Sequence, residues 1–233
     1  MAHFLARLAL LLLPASAVWA EPRAYRVVEP PPGTTAIEVA IPYSFGTHHD
    51  AASVVQGQVV IDREKLVVEP GQLRVPLAAL RSGDPKRDCH LREALGLDYA
   101  KSRFPAEHVC NDANELPGSG GDSLAFRELR LDVSGGRPLD DPALLAQGKE
   151  VRLEITGRWV LHGVERPALL RLAVSVDPGD PGLLRVRGRE IIRLHDFGVV
   201  VKQTNVLFVV VSVEDAITVT FDLRFAAAPP GKP

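Results

Sequence analysis

The chain has 233 residues, of which 46% are hydrophobic, and this is enough to bury one sizeable core. Its formal net charge of −2 gives no indication of the basic face that a nucleic-acid partner usually shows, so we expect no nucleic-acid binding. The 19 glycines and 19 prolines are typical of a domain built from many short elements joined by turns.

The first 20 residues have the pattern of an export signal. Arg7 precedes a short apolar run over residues 8–13, and Val18 and Ala20 form a small-residue boundary around Trp19. The run is shorter than the roughly 20 apolar residues that span a bilayer, so we expect no stable membrane insertion. We predict a cleaved signal peptide at 1–20 and a periplasmic or secreted protein. A membrane anchor is the alternative.

Between residues 37 and 79 the sequence predicts three β-strands. Apolar residues take alternate positions from Ile37 to Tyr43, which is typical of an antiparallel strand with one buried face. Two further strands are expected at 53–62 and 72–79. The segment His48–Asp50 is interpreted as an exposed polar turn, with a metal site in a loop as the alternative.

A single helix is predicted, over residues 85–96. Asp84 is a favourable N-cap, Pro85 suits the first helical position, and a glycine ends the segment. Leu91 and Leu95 are four residues apart and therefore give the helix a narrow apolar stripe.

The chain contains two cysteines, Cys89 and Cys110, and an even pair in an oxidising compartment predicts a disulfide. We expect this bond to join the helix to the strand that follows Pro105. The alternative is a zinc site in which His90 and His108 complement the two thiolates. Two free thiols are a further alternative. Our prediction is a disulfide, with no metal and no cofactor.

The second half of the chain alternates predicted loops with predicted strands. The segments 113–122 and 134–149 are rich in Gly, Pro, Asp and Ser and are expected to be loops. An apolar phase shift near Arg127 predicts a β-bulge. The strands expected here are 123–133, 151–161, 168–177, 183–194, 205–213 and 217–225.

The end of the chain has two unusual segments. Residues 206–211 are apolar at every position, so they predict either a strand covered on both faces or an edge that binds a partner. Residues 226–233 offer little to bury and are expected to be a disordered tail. The remaining segment, 21–225, is expected to be one domain.

About nine short strands, one helix and hairpin spacing predict an all-β fold, a closed or nearly closed antiparallel barrel. A β-sandwich is the alternative, because periodicity alone does not distinguish the two architectures.

Four motifs in a fixed order resemble the YceI-like family of secreted bacterial proteins. They are Arg87-Asp88-x-His90-Leu91, Phe104-Pro105, Gly157-x-x-x-Leu161-x-Gly163-Val164-x-x-Pro167 and Arg193-x-x-Asp196-Phe197-Gly198. The resemblance covers residues 36–225. It implies a lipocalin-like antiparallel β-barrel of about eight or nine strands with one short helix. It also implies an elongated apolar cavity that holds isoprenoid or other amphiphilic lipid chains.

The resemblance also implies two groups of site residues. The motif residues expected to be important are Arg87, Asp88, His90, Gly163, Asp196 and Gly198. The apolar residues expected to line the cavity and bind ligand are Val39, Ile41, Trp159, Leu161, Phe197 and Phe221. For the aromatic residues an ordinary core position is the alternative, and for the charged pair at 87–88 it is a structural role at the helix start.

The resemblance implies an exported carrier of an isoprenoid-type or fatty amphiphile, and not an enzyme. A ligand-free structural or interaction protein of the cell envelope is the alternative, based on the apolar segment 206–211 and the enlarged loops. An oligomer is compatible with either function. The tetrad Gly121–Leu124 spells the nucleophile motif of an esterase family, but the Asp-x-x-His that would complete the site is missing downstream.

Overall fold

The computed structural model describes residues 22–201, 204–206 and 209–229. The expected signal peptide at 1–20 lies outside these ranges, as do residues 230–233 of the expected tail. Strands dominate the described chain. None of the helices in these ranges is long and apolar enough to cross a membrane.

The described ranges contain twelve strands, two α-helices and two 3₁₀ helices. The strands are β1 (Arg23–Val28), β2 (Ile37–Tyr43), β3 (Gly46–Ala52), β4 (Gln56–Asp62), β5 (Val67–Pro76), β6 (Glu128–Pro138), β7 (Val151–Leu161), β8 (Val164–Val176), β9 (Leu183–Arg193), β10 (Thr204–Val206), β11 (Val209–Val211) and β12 (Ala216–Ala227). The helices are α1 (Pro85–Gly96) and α2 (Ala143–Ala146), and the 3₁₀ helices are Leu77–Ala79 and Leu194–Phe197.

Eight antiparallel strands close into a barrel, which confirms the predicted fold class. Their order is β1, β4, β5, β6, β7, β8, β9 and β12, and β12 pairs with β1 to complete the circle. β12 also pairs with β2 along the first part of the same edge, so the β2–β3 hairpin is added outside the closed circle. β10 and β11 form a separate two-stranded sheet.

The two ends of the barrel differ. At the helix end lie α1, the β7–β8 turn and the 3₁₀ helix that follows β9. At the other end, which we call the sealed end, lie the β4–β5 turn, α2 and the β8–β9 turn. Leu66, Val151 and Leu184 are fully buried at the sealed end, because tight turns and α2 cover it.

Helix α1 has the predicted bounds. The Asp84 carboxylate accepts hydrogen bonds from the backbone N–H groups of Lys86 and Arg87, as an N-cap should. The last helical residue is Gly96, where a side chain would not fit because a Cβ would lie 2.3 Å from Leu124 Cδ2.

The prediction of a β-bulge near Arg127 is wrong. Residues 125–126 are not part of β6, because both of their N–H groups donate to the carbonyl oxygen of Gly96, at 2.8 and 2.9 Å. The shift in apolar phase therefore marks the start of the strand at Glu128. The register between β6 and β7 shifts further along the chain, after Val133.

Two strands were not expected from the sequence. β1 carries polar and apolar residues without clear alternation, and it is a strand because it closes the barrel between β4 and β12. β3 includes His48–Asp50, so the interpretation of this segment as an exposed turn is wrong. The segment pairs residue by residue with β2.

Further segment boundaries differ from the expectation, including those of β5, expected at 72–79, and of β8, expected at 168–177. The loop expected at 134–149 contains the end of β6 and helix α2. The strand expected at 205–213 is two short strands, β10 and β11. β12 continues to Ala227, two residues past the expected end, because its last residues pair with β1.

Candidate functional site

The barrel encloses a cavity of about 430 Å³. This volume lies within the range of about 300–1,000 Å³ that is usual for small-molecule sites. The lining is mostly aliphatic and aromatic and comes from the inward positions of the barrel strands. Such a cavity suits an apolar ligand, or the apolar part of an amphiphile, because the transfer of apolar surface from water to an apolar environment is favourable.

All six apolar residues expected to bind ligand lie in the cavity wall. They are Val39, Ile41, Trp159, Leu161, Phe197 and Phe221. Several inward side chains are only half-buried, including Trp159 and Leu172, although they point into the barrel. Their exposed surface faces the cavity. Contact with a ligand stays a prediction for each of them.

Charged and polar side chains reach the cavity from two parts of the fold. We call this group the mouth: His48 and Asp50 on β3, and Arg87, His90 and Glu93 on α1. These elements meet at the helix end of the barrel, where Ala51 of β3 pairs with Arg81, just before α1. The cavity therefore has a polar mouth and an apolar interior.

Asp50 is the most unusual residue of the mouth. It is 1% exposed, and its Oδ1 has no hydrogen-bond partner in the described part of the chain. Burial raises the pKa of Asp50 to about 6, and the negative charge of Asp88 adds to the increase, while Arg87 and His49 act in the opposite direction. A buried acceptor without a donor is costly, so a ligand that donates a hydrogen bond would stabilise it.

His48 lies beside Asp50 on β3 and differs from its neighbour His49. The His48 ring stacks on Tyr43, with centroids 3.9 Å apart and ring planes 4° from parallel. Burial lowers the pKa of His48, and the positive charge of Arg87 lowers it further. His49 points outward and pairs with Glu38 at 2.9 Å. The two histidines therefore diverge and do not form a shared metal site.

Arg87 and Asp88, the charged pair at the start of α1, have different roles. Arg87 lines the mouth. Asp88 is buried and accepts hydrogen bonds from the Ser82 N–H at 2.7 Å and from the Ser82 hydroxyl at 2.6 Å. These bonds fix the approach to the helix, so the contacts of Asp88 are structural.

The other motif residues shape turns at the helix end and lie outside the cavity wall. Gly163 has φ +74° in the β7–β8 turn, and a Cβ there would lie 2.5 Å from the Phe126 ring. Gly198 has φ +68° and ends the 3₁₀ helix. Asp196 pairs with the neighbouring His195 at 3.0 Å. These positions set the backbone around the mouth and do not contribute to its lining.

Cys89 and Cys110 form the predicted disulfide, with Cα atoms 6.5 Å apart. The bond joins the middle of α1 to the loop that precedes β6. The zinc site built on two thiolates is therefore excluded in this oxidised state, because both sulfurs are bonded to each other.

Glu93 was not predicted as a site residue, although it lies on the same helix face as His90, which is three residues before it. Glu93 is fully buried and accepts hydrogen bonds from His90 Nδ1 at 2.8 Å and from the Val109 N–H at 2.9 Å. His108 Nδ1 lies 3.4 Å from the same carboxylate. Burial acts to raise the pKa of Glu93, but the bonds from His90 and Val109, with the charges of both histidines, outweigh it and lower the pKa.

The tetrad around Ser123 is a turn. The Ser123 hydroxyl donates to the Gly120 carbonyl oxygen at 2.7 Å, and Asp122 is bound by the Arg103 side chain at 3.0 Å. No histidine contacts Ser123 in the described ranges. The geometry therefore lends no support to a hydrolase.

Comparison with known proteins agrees with this architecture. A polyisoprenoid-binding domain from Saccharophagus degradans, implicated in plant cell wall breakdown, has a similar structure, with TM-score 0.56 and 15% identity over 88% of this chain and 99% of that one. A YceI protein of Campylobacter jejuni is similar with TM-score 0.50 and 12% identity, over 78% of this chain and 85% of that one. At these identities the likeness concerns the fold.

No curated protein matches the sequence. The model of the YceI-like domain matches residues 32–225, which include all barrel strands except β1, together with helix α1 and the mouth. Because this match spans most of the sequence, the chain belongs to the YceI-like family.

Proposed function

We propose that the protein is an exported lipid-binding protein that holds one isoprenoid or fatty amphiphile inside the barrel. The cavity, apolar inside and polar at its mouth, is the observation that carries this proposal. The polyisoprenoid-binding relative from Saccharophagus degradans supports the ligand class. Export is inferred from residues 1–20.

The arrangement of side chains favours one orientation of the ligand. The hydrocarbon chain points toward the sealed end, where Leu66 and Leu184 are in the cavity wall. The head group remains at the mouth, beside Asp50 and Arg87. Because Asp50 Oδ1 is an acceptor without a donor, a head group with a hydroxyl or amide N–H fits this position.

Burial of the hydrocarbon alone provides useful affinity. Each buried CH₂ contributes about 0.8 kcal/mol, so roughly ten of them contribute about 8 kcal/mol. This corresponds to a dissociation constant on the order of 1 μM before the costs of association are subtracted. The head group then contributes selectivity more than affinity.

A matched pair of tryptophan variants tests the proposal. Leu172 and Leu169 lie on the same strand, but Leu172 lines the cavity and Leu169 is 58% exposed on the outer surface. Native mass spectrometry of protein isolated from its host membranes should find a lipid bound to the parent and to Leu169→Trp. Leu172→Trp, which narrows the cavity, should be recovered folded and with less bound lipid than Leu169→Trp.

Two outcomes would contradict the proposal. One is equal lipid occupancy in Leu172→Trp and Leu169→Trp. The other is a parent protein that is empty in repeated preparations and does not take up a long-chain prenol or fatty amide. Empty preparations together with a stoichiometric cross-linked protein would favour the alternative, a structural or interaction protein of the envelope.

A further inference from the structure

We propose that His90, Glu93 and His108 form a binding site for a divalent cation of the zinc class. Two imidazoles and one carboxylate converge here, and their candidate ligand atoms all lie within 4.8 Å of one another. Nitrogen ligands of this kind suit zinc, copper and nickel and are poor ligands for calcium or magnesium. The proposal does not depend on lipid binding.

The three residues are held together before any cation arrives. His90 and Glu93 lie three residues apart on one face of α1. His108 comes from the loop after Pro105, and the Cys89–Cys110 disulfide fixes that loop to the helix. Each histidine is within two residues of a bonded cysteine, so the distance between the two segments is set covalently.

The central carboxylate is also oriented from outside the cluster. Glu93 is 0% exposed, and the Val109 N–H binds its Oε1 at 2.9 Å. In metal sites such an outer hydrogen bond fixes the direction of the ligand and strengthens binding. A fully buried carboxylate otherwise carries a large desolvation cost, which a bound cation offsets.

The spacing of the ligand atoms fits a tetrahedral ion. Zinc bonds of about 2.0–2.1 Å place neighbouring ligand atoms about 3.3 Å apart. His90 Nδ1 lies 2.8 Å from Glu93 Oε2, and His108 Nδ1 lies 3.4 Å from Glu93 Oε1. Because the two ring centroids are 4.8 Å apart, small side-chain rotations bring all three ligands to one ion.

The cluster leaves room for a further ligand. The side chains of His90 and His108 are 40% and 38% exposed, so the cluster is open on one side. His90 and Glu93 also line the cavity mouth. A fourth coordination position is thus accessible to water or to a head group in the mouth. Three protein ligands with one open position are typical of zinc sites that exchange ligands.

The test measures zinc binding to tag-free, oxidised protein by isothermal titration calorimetry and by native mass spectrometry. Non-reducing conditions keep Cys89 and Cys110 bonded, so thiolates cannot contribute. The parent should bind one equivalent of Zn²⁺ and should not bind Ca²⁺ at the same site. His90→Gln and His108→Gln should each weaken zinc binding by at least the roughly 10- to 100-fold that is typical of outer partners of a metal site.

His195→Gln is the matched control, because His195 also contacts carboxylates, those of Asp196 and Asp215. This variant should bind zinc like the parent. Parental affinity in either His90→Gln or His108→Gln would overturn the proposal, as would a parent that binds no stoichiometric zinc. Glu93→Gln should also lose affinity, and thermal melting checks its fold. If it does not fold, the two exposed histidine variants decide the result.

Discussion

The imidazole of His162, in the β7–β8 turn, donates a hydrogen bond from Nε2 to the carbonyl oxygen of Leu97, at 2.8 Å. Leu97 is the C-cap residue directly after α1. The same ring lies against Tyr99 and Phe126, with centroids 4.3 and 4.9 Å away. One histidine therefore attaches the end of the helix to the barrel wall.

Replacement of His162 by alanine should destabilise the fold by about 1–2 kcal/mol, because the helix end loses a hydrogen bond and the ring contacts. Urea unfolding measures this. His49→Ala is the control, since that exposed ring pairs with Glu38 at the surface, and its effect should remain within about 0.5 kcal/mol. Equal effects of the two variants would show that the hydrogen bond from His162 to Leu97 does not stabilise the fold.

Removal of the disulfide should loosen α1 more than the barrel. The Cys89–Cys110 bond spans 21 residues, and loss of such a closed loop costs about 3 kcal/mol on the chain-entropy model. The double variant Cys89→Ser/Cys110→Ser should therefore melt at a lower temperature. Hydrogen exchange should accelerate over 85–96 before it accelerates in β7 and β8. Uniform acceleration in all three elements would contradict a local role.

Replacement of Asp50 by asparagine should stabilise the ligand-free protein at neutral pH. The folded pKa of Asp50 is about 6 and the ordinary value is 3.8, so the folded state binds the extra proton between these values. The stability of the parent therefore falls as pH rises from about 4 to above 6. The advantage of the variant should reach up to about 3 kcal/mol at pH 7.5 and vanish near pH 4.

The same variant should lose affinity for an amphiphile whose head group donates to Asp50. A gain in stability together with a loss of ligand affinity would show that Asp50 has a binding role and not a purely structural one. A gain in stability that is equal at pH 4 and pH 7.5 would show that ionisation of Asp50 is not the cause.

Trp159 should report directly on occupancy of the cavity. The chain has two tryptophans, and Trp19 lies in the signal peptide expected to be cleaved, so Trp159 is the only indole of the expected mature protein. Because Trp159 lines the cavity, a bound hydrocarbon chain should displace water from its ring and shift its emission to shorter wavelength. Titration with a long-chain prenol or fatty amide measures this shift. The Leu172→Trp variant is unsuitable for this measurement, because it adds a second indole. An unchanged spectrum at saturation would place the ligand elsewhere.

The regular parts of the fold were predictable from local signals. Asp84 and Pro85 define the start of α1, and the strict alternation from Val151 to Leu161 gives the bounds of β7. In both cases one face is buried by a neighbouring element, so the pattern of apolar residues records the structure directly. The motif resemblance added the closure of the barrel, which alternation alone does not determine.

The mouth was not predictable in the same way. β3 has the sequence Gly-Thr-His-His-Asp-Ala-Ala, in which a carboxylate takes an inward position that an apolar residue usually occupies. The burial of Glu93 also has no local signal, because two of its contacts, His108 and the Val109 N–H, come from a different segment of the chain. Polar residues that converge from β3, α1 and the loop before β6 leave no periodic signal. Only the three-dimensional structure brings them together.

The pairing of β1 with β12 determines where attachments to this protein would project. Tyr25 pairs with Ala227, and the Ala228 N–H donates to the Ala24 carbonyl oxygen at 2.7 Å, so the first and last strands meet near the sealed end. A label or tether joined to either of these strands would extend away from the mouth. Surface immobilisation through either strand should therefore leave ligand exchange unhindered. A short linker between these strands would suit a circular permutant opened at an exposed turn.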